Sequence, residues 1–236
     1  MKKIQPRRPE RVPDYAEACL RALVAQGLGH TLSLGGAFGL AHYFEYRPTH
    51  DVDAWWLPET TAVERKRVVQ TIQEALQAWG QVQTRTWGDV VSVELFQAEH
   101  EVFSFQIARR SAQLEPSHPA PWIGVLLDGF SDLLASKMVA LVERGIPRDF
   151  RDIYTLCQVE MTTPQECWDL WRRRQRLTGG DTEVHRARLA VETHLARIGQ
   201  HRPLPEIADP TERTEAERVR AWFKTIFMDA LLRNET

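Results

Sequence analysis

Two stretches of this 236-residue chain carry residues whose types and spacing could do chemistry. The first, LSLGGAFGLAHYFEYRPTHDVDAWWL, runs from Leu32 to Leu57 and reads as strand, Gly-Gly turn, helix, and a second strand bearing Asp-x-Asp. Gly35 and Gly36 let the backbone turn tightly and come close to a phosphate, and the helix that follows offers unpaired N–H groups to an anion. Asp51 and Asp53 are one residue apart, so on an extended strand both project from the same face. Two like charges side by side repel unless a cation lies between them. A carboxylate pair holding Mg²⁺ opposite a triphosphate is the arrangement for two-metal phosphoryl or nucleotidyl transfer, with metals about 3.5–4 Å apart. Each half alone has an ordinary reading, a turn or a solvated strand edge, and the order in which they are combined points to a site. Val52 turns to the opposite face and Ala54, Trp55 and Trp56 continue as apolar sequence, so the carboxylates stand on a strand that is otherwise core-like.

The second stretch, SDLLASKMVALVERGIPRDFRDIYTL, begins at Ser131. On a helix, Leu133, Leu134, Met138 and Leu141 form one apolar stripe, and Lys137 falls inside it. Either its stem snorkels along the core edge, or the cation is held against phosphate or beside the Asp pair. Arg144-Gly145 with Pro147 beyond is a conventional helix stop. In RDFRD, Arg148 with Arg151 and Asp149 with Asp152 stand at i, i+3. They form a surface ion-pair lattice, or they present arginines to RNA phosphates and a carboxylate to orient Lys137 or a substrate.

The elements that must position these residues follow from periodicity. DYAEACLRALVAQG is a helix with Asp14 as N-cap, Tyr15, Cys19, Leu20 and Leu23 on one face, and Gly27 as its end. Thr60 and Thr61 with Glu64 resemble a capping box opening a helix through about Trp79, with Val68, Val69, Ile72, Leu76 and Trp79 as its apolar face. Residues 82–109 read as two or three strands, VQTRTW, DVVSVELFQ and EVFSFQIA, and from Ser131 the signals are helical almost to the end. The order predicts an α+β domain over residues 1–125 and a helical portion over 126–236, with SAQLEPSHPAPW as the linker and GQHRPLPEIADP as a second break.

Composition bounds the function. Thirty Lys and Arg against 32 Asp and Glu leave a formal charge of −2, which argues against a histone-like or polybasic nucleic-acid binder. Three cysteines, Cys19, Cys157 and Cys167, with no C-x-x-C pair fit core thiols in a reducing compartment. WIGVLLDGFSDLLASKMVALV is interrupted by Asp128, Asp132 and Lys137, too many charges for a membrane span, and the basic start is followed by no apolar run, so a soluble cytoplasmic protein is expected. The histidines show no H-E-x-x-H spacing, and neither G-x-S-x-G nor a Walker A sequence occurs. His42 and His50 flank the site and read as structural. WDLWRRRQR, with Trp168 and Trp171 beside Arg172, Arg173, Arg174 and Arg176, is an RNA-stacking face or a helix with a buried aromatic side and a solvated basic one. The basic start, with Lys2, Lys3 and RRPER at 7–11, reads equally as a disordered extension.

Together the two stretches resemble the nucleotidyltransferases of the AbiEii/AbiGii toxin family, the toxin partners of type IV toxin–antitoxin and abortive-infection systems. Gly35, Gly36, Arg47-Pro-Thr49 and Asp51-Val-Asp53 match its first motif. Leu133, Leu134, Ala135, Lys137, Ala140, Leu141, Arg144, Gly145, Arg148, Asp149 and Asp152 match a later and more specific one. The resemblance implies a polymerase-β-like core, a mixed sheet flanked by helices, over residues 1–125, with helices 126–236 completing the active-site cleft. It implies that Gly35, Gly36, Arg47, Thr49 and Lys137 bind an NTP, that Asp51 and Asp53 hold catalytic Mg²⁺, and that Lys137 and Asp149 act at the active site. The third carboxylate of such folds comes from a nearby strand. The preferred alignment puts Gln106 there, and Glu94 in VSVELF is the substitute metal ligand. The expected reaction transfers NMP to tRNA or another RNA, as a toxin whose cognate antitoxin is encoded nearby. The alternatives are a degenerate nucleotide-binding member without transfer, motivated by Gln106, and transfer to a small-molecule or protein hydroxyl.

Overall fold

Alternation decides the first half of the chain. In β2 (Val52–Trp56), β4 (Val90–Gln97) and β5 (His100–Arg109), one side reads Val52, Ala54, Val93, Leu95, Phe103, Phe105 and Ile107, all buried, and the other reads Asp53, Ser92, Glu94, Ser104 and Gln106. The side-chain period of two therefore sorts a core face from a polar face. With β1 (Leu32–Leu34), β3 (Gln81–Trp87), β6 (His118–Pro119) and β7 (Leu126–Leu127) these strands make a seven-stranded mixed sheet in the order β3-β4-β5-β2-β1-β7-β6. The β2–β5 and β1–β7 pairs are parallel and the others antiparallel.

The computed structural model describes residues 4–230, so Lys2 and Lys3 of the basic start lie outside the described residues. The chain divides into two compact units, Ile4–Leu133 and the residues from Leu134 onward, with the division inside a helix and not at residue 125.

In the first unit, α1 (Asp14–Ala25) buries Ala16, Cys19, Leu20 and Leu23. Pro13 is its N-cap residue, so Asp14, expected there, is the first helical residue. Tyr15 meets Phe103 of β5 with ring centroids 5.7 Å apart. α2 (Gly36–Ala41) follows the glycine turn. α3 (Ala62–Gln77) opens on the expected capping box. Thr61 Oγ1 accepts from Glu64 N–H at 3.2 Å, and the Glu64 carboxylate accepts from Thr61 N–H at 2.8 Å, a device worth about 1 kcal/mol.

SAQLEPSHPAPW, expected as a linker, belongs to this unit. It supplies β6, and the N–H groups of Leu114 and Glu115 donate to Asp132 at 2.7 and 3.0 Å. The RRPER segment is likewise no loose extension. Arg7 N–H donates to His42 C=O at 2.8 Å, the Arg8 guanidinium lies 4.8 Å from the Trp122 ring centroid, and Glu10 and Arg11 N–H donate to Glu45.

In the second unit the helices are the rest of α4 (Phe130–Glu143), then α5 (Pro147–Gln158), α6 (Pro164–Thr178), α7 (Val184–His201) and α8 (Pro210–Trp222), which runs into a π-helical turn at Phe223–Phe227. Its core is aromatic: Phe150 meets Phe223 at 4.7 Å and Trp168 meets Phe227 at 5.1 Å between ring centroids. Trp168 and Trp171 are buried while Arg173 and Arg176 of the same helix are exposed, so these two tryptophans do not form a stacking surface for bases. All three cysteines are free thiols, with Cys157 and Cys167 sulfurs 4.0 Å apart. Among the described residues no helix is long and apolar enough to cross a membrane.

Candidate active site

The glycine turn and the Asp-x-Asp strand are neighbours because β1 and β2 pair antiparallel, Leu34 opposite Ala54. Gly35 N–H donates to Asp53 C=O at 2.8 Å, so that donor belongs to the sheet and not to a ligand. A Cβ at Gly35 would stand 3.1 Å from Trp55 Cδ1. Gly36 has a φ of +55°, and a Cβ there would meet the Asp53 carboxylate and lie 2.6 Å from its Cβ. Only glycine combines that backbone with such a close approach. The helix that follows is six residues long, so the N–H groups of the turn itself, more than a macrodipole, are what it offers an anion.

Asp51 immediately precedes β2 and is exposed; Asp53 is half-buried. Asp51 Oδ1 accepts from both Ser104 N–H and Ser104 Oγ–H at 3.1 Å, which fixes the carboxylate and leaves Oδ2 without a partner among the described residues. Thr49 Oγ–H donates to Asp51 C=O at 3.2 Å and so shapes the approach to the strand, while the Arg47 guanidinium lies 5.7 Å from the Tyr46 ring centroid.

The register settles which side chains flank the pair. Asp53 is paired with Gln106 on β5, and Glu94 on β4 is paired with Ser104. Gln106 therefore stands beside Asp53. Glu94 lies two strands from β2, roughly 10 Å at the usual interstrand spacing, and its Oε2 is 3.1 Å from Arg85 Nε. The structure thus brings Asp51, Asp53 and Gln106 together and leaves Glu94 apart. Partial burial, then the Glu94 and Asp51 carboxylates, raise the Glu101 pKa above its ordinary value against the pull of Arg85, so negative charge is concentrated on this face.

These residues fit a metal in a limited way. Among the described residues no group of three His, Cys, Asp or Glu side chains is placed to hold one. Two carboxylates are nevertheless what Mg²⁺ needs when substrate phosphates and water supply the remaining oxygens.

His42 is structural. Trp122 Nε1–H can only donate, and it donates to His42 Nε2 at 3.0 Å, so the ring proton is on Nδ1, which donates to Phe38 C=O at 2.9 Å. Burial lowers its pKa to about 4.

A hub that the sequence did not signal adjoins β1. Arg110 donates to Asp128 and to Ser33 Oγ (2.6 Å), stands 3.8 Å from Asp132, and lies 5.8 Å from the Trp55 ring centroid. Its partners are up to 77 positions away in sequence, and only their interruption of an apolar run had marked the aspartates.

In the second unit, Lys137 is paired with Asp152 (2.6 Å), its side chain 11% exposed and the aspartate fully buried. Asp149 is held bidentately by Arg144, both contacts 3.0 Å, and accepts Ile146 N–H at 3.2 Å, so it fastens the end of α4 to the start of α5. Asp152, not Asp149, is the carboxylate that orients Lys137.

A glycine turn and an Asp-x-Asp strand, side by side on the polar face of a helix-flanked mixed sheet, define a nucleotidyltransferase core. The profile of the nucleotidyl transferase AbiEii toxin family, of type IV toxin–antitoxin systems, matches residues 18–229, and the chain belongs to that family. Among solved structures it is similar to an antigenic nucleotidyltransferase-like protein from Paracoccidioides brasiliensis, with 12% identity and a TM-score of 0.39 over 86% of this chain and 92% of that one. No curated protein gives a match.

Proposed function

We propose that this nucleotidyltransferase moves an NMP from an NTP to a hydroxyl of tRNA or another RNA, in the cytoplasm, as the toxin of a pair with a cognate antitoxin. The observation that carries the reading is the bare Gly36 backbone against the Asp53 carboxylate, with Asp51 fixed by Ser104 beside it. In this reading the Gly35-Gly36 turn lets the triphosphate approach, and Arg47 and Thr49 border it. Asp51 and Asp53 would hold Mg²⁺, which when bound would neutralise phosphate charge and acidify the attacking hydroxyl. The acceptor oxygen forms a bond to the α-phosphorus, the bond to the bridging oxygen breaks, and pyrophosphate leaves. Gln106 takes no proton and Glu94 is two strands from β2, so the hydroxyl proton goes to Asp51, Asp53 or water. The family resemblance adds a phosphate-neutralising role for Lys137 and an active-site role for Asp149.

Purified protein is incubated with Mg²⁺, each radiolabelled NTP in turn and total tRNA, beside folded Asp51→Asn and Asp53→Asn variants. Label enters RNA with the wild type alone. Gln106 favours a second reading, nucleotide binding without transfer, and Mg²⁺-dependent NTP binding with no label in any acceptor would establish it. Label in a protein or small-molecule hydroxyl and none in RNA would redirect the acceptor.

A further inference from the structure

The face of the sheet away from Asp51 and Asp53 carries a groove of about 550 Å³ between α3 and the strands. The register puts Trp56 beside Arg109 and Thr84 opposite Val93, on the core-facing side, so the sheet separates this groove from the carboxylate pair.

At the groove the Arg65 guanidinium lies over the Trp56 ring, 5.4 Å from its centroid. Arg65 Nε is buried and has no hydrogen-bond partner. A planar fork of donors, stacked on a ring and with its Nε–H unpartnered, has the geometry that matches a phosphate bidentately. Lys66 and Arg109 line the same groove and are exposed, and the one carboxylate among its lining residues is Asp89. Three cations against one anion favour a dianion. Gln73 and Thr84 at the wall bond to each other at 2.7 Å. Trp56 is 5% exposed and covered by Arg65, so it offers no face on which a base could stack.

We propose that this groove binds the phosphate of a nucleotide, as a phosphomonoester or diphosphate dianion, and reads the phosphate without the base. Its volume suits a ligand of mononucleotide size. Free nucleotides and the phosphates of an RNA chain share this chemistry, and the test separates them.

The full chain, ¹⁵N-labelled and kept in EDTA so that metal-dependent binding does not contribute, is titrated with 5′-AMP, pyrophosphate, adenosine and rU8. The Trp56 indole and Arg65 Nε–H signals, assigned with Trp56→Phe and Arg65→Gln, are followed. AMP and pyrophosphate move both signals, adenosine moves neither, and added salt weakens binding. The Arg65→Gln/Arg109→Gln variant, followed at the Trp56 indole, binds at least about tenfold more weakly, the loss of one or two charge-assisted hydrogen bonds. Lys66→Glu, a change at an exposed position, weakens binding in the same direction and guards against misfolding of the double variant. Asp53→Asn leaves these shifts unchanged. Tighter binding of rU8 than of AMP at the same two signals assigns the phosphate to an RNA chain; the reverse assigns it to a free nucleotide. Unmoved signals at millimolar AMP and pyrophosphate, equal shifts with adenosine, or loss of the shifts in Asp53→Asn would overturn the proposal.

Discussion

Two aspartate pairs in this chain look alike on paper and are handled in opposite ways. Asp149 and Asp152 are fully buried, and each is matched by a cation supplied by the chain itself, Arg144 and Lys137. Asp51 and Asp53 stand at a polar sheet face, Asp51 exposed with one oxygen unfilled among the described residues, and the Asp51 and Glu94 carboxylates add to the partial burial that raises the Glu101 pKa. Carboxylates whose counter-charge is built in hold helices together. Carboxylates placed side by side at an exposed strand edge are open to a cation from solution.

The comparison is broken most severely at its functional end. Asp53→Asn is expected to lower transfer by roughly 10²–10⁴-fold while leaving the thermal midpoint near that of the wild type, measured by label incorporation and by calorimetry. At the buried pair, stability is the readout. Lys137→Met takes the cation from a fully buried carboxylate and costs about 3–5 kcal/mol in denaturant unfolding, and a Lys137→Met/Asp152→Leu double variant regains much of it. Stability unchanged in the single variant would dissolve the distinction between the two pairs.

A third expectation concerns acid. The folded His42 pKa of about 4 lies below the ordinary 6.5, so the unfolded chain binds a proton that the folded chain refuses. Stability from this group is complete above pH 6.5 and declines as pH falls from there towards 4, by up to about 3 kcal/mol. A His42→Gln variant, less stable at neutral pH, has a flatter unfolding profile across that window. The smallest effect is expected at the glycine turn. Gly36→Ala places a methyl against Asp53 at a φ of +55° and costs about 1–3 kcal/mol of stability, with transfer reduced alongside it.

How much of this was legible in the sequence depends on range. The Thr61–Glu64 capping box, the alternating strands and the Gly-Gly and Asp-x-Asp elements are local patterns, and each forms where its residues say. Gln106 could be suspected from alignment, but its place beside Asp53 needed the β2–β5 register. The pairing of Lys137 with Asp152 was one of several partners open to that lysine. β6 (His-Pro) and β7 (Leu-Leu) were missed because strands of two residues have no period to read. The Arg110 hub and the Trp122–His42 bond join residues tens of positions apart through side chains alone, and nothing in local composition marks them.

The most direct test of the central claim is the binding of Mn²⁺, as a paramagnetic stand-in for Mg²⁺, followed by electron paramagnetic resonance with and without ATP. The account predicts ATP-strengthened binding in the wild type, lost in Asp51→Asn and Asp53→Asn and retained in Asp149→Asn provided that this variant stays folded. Equal binding by Asp53→Asn and the wild type would contradict it.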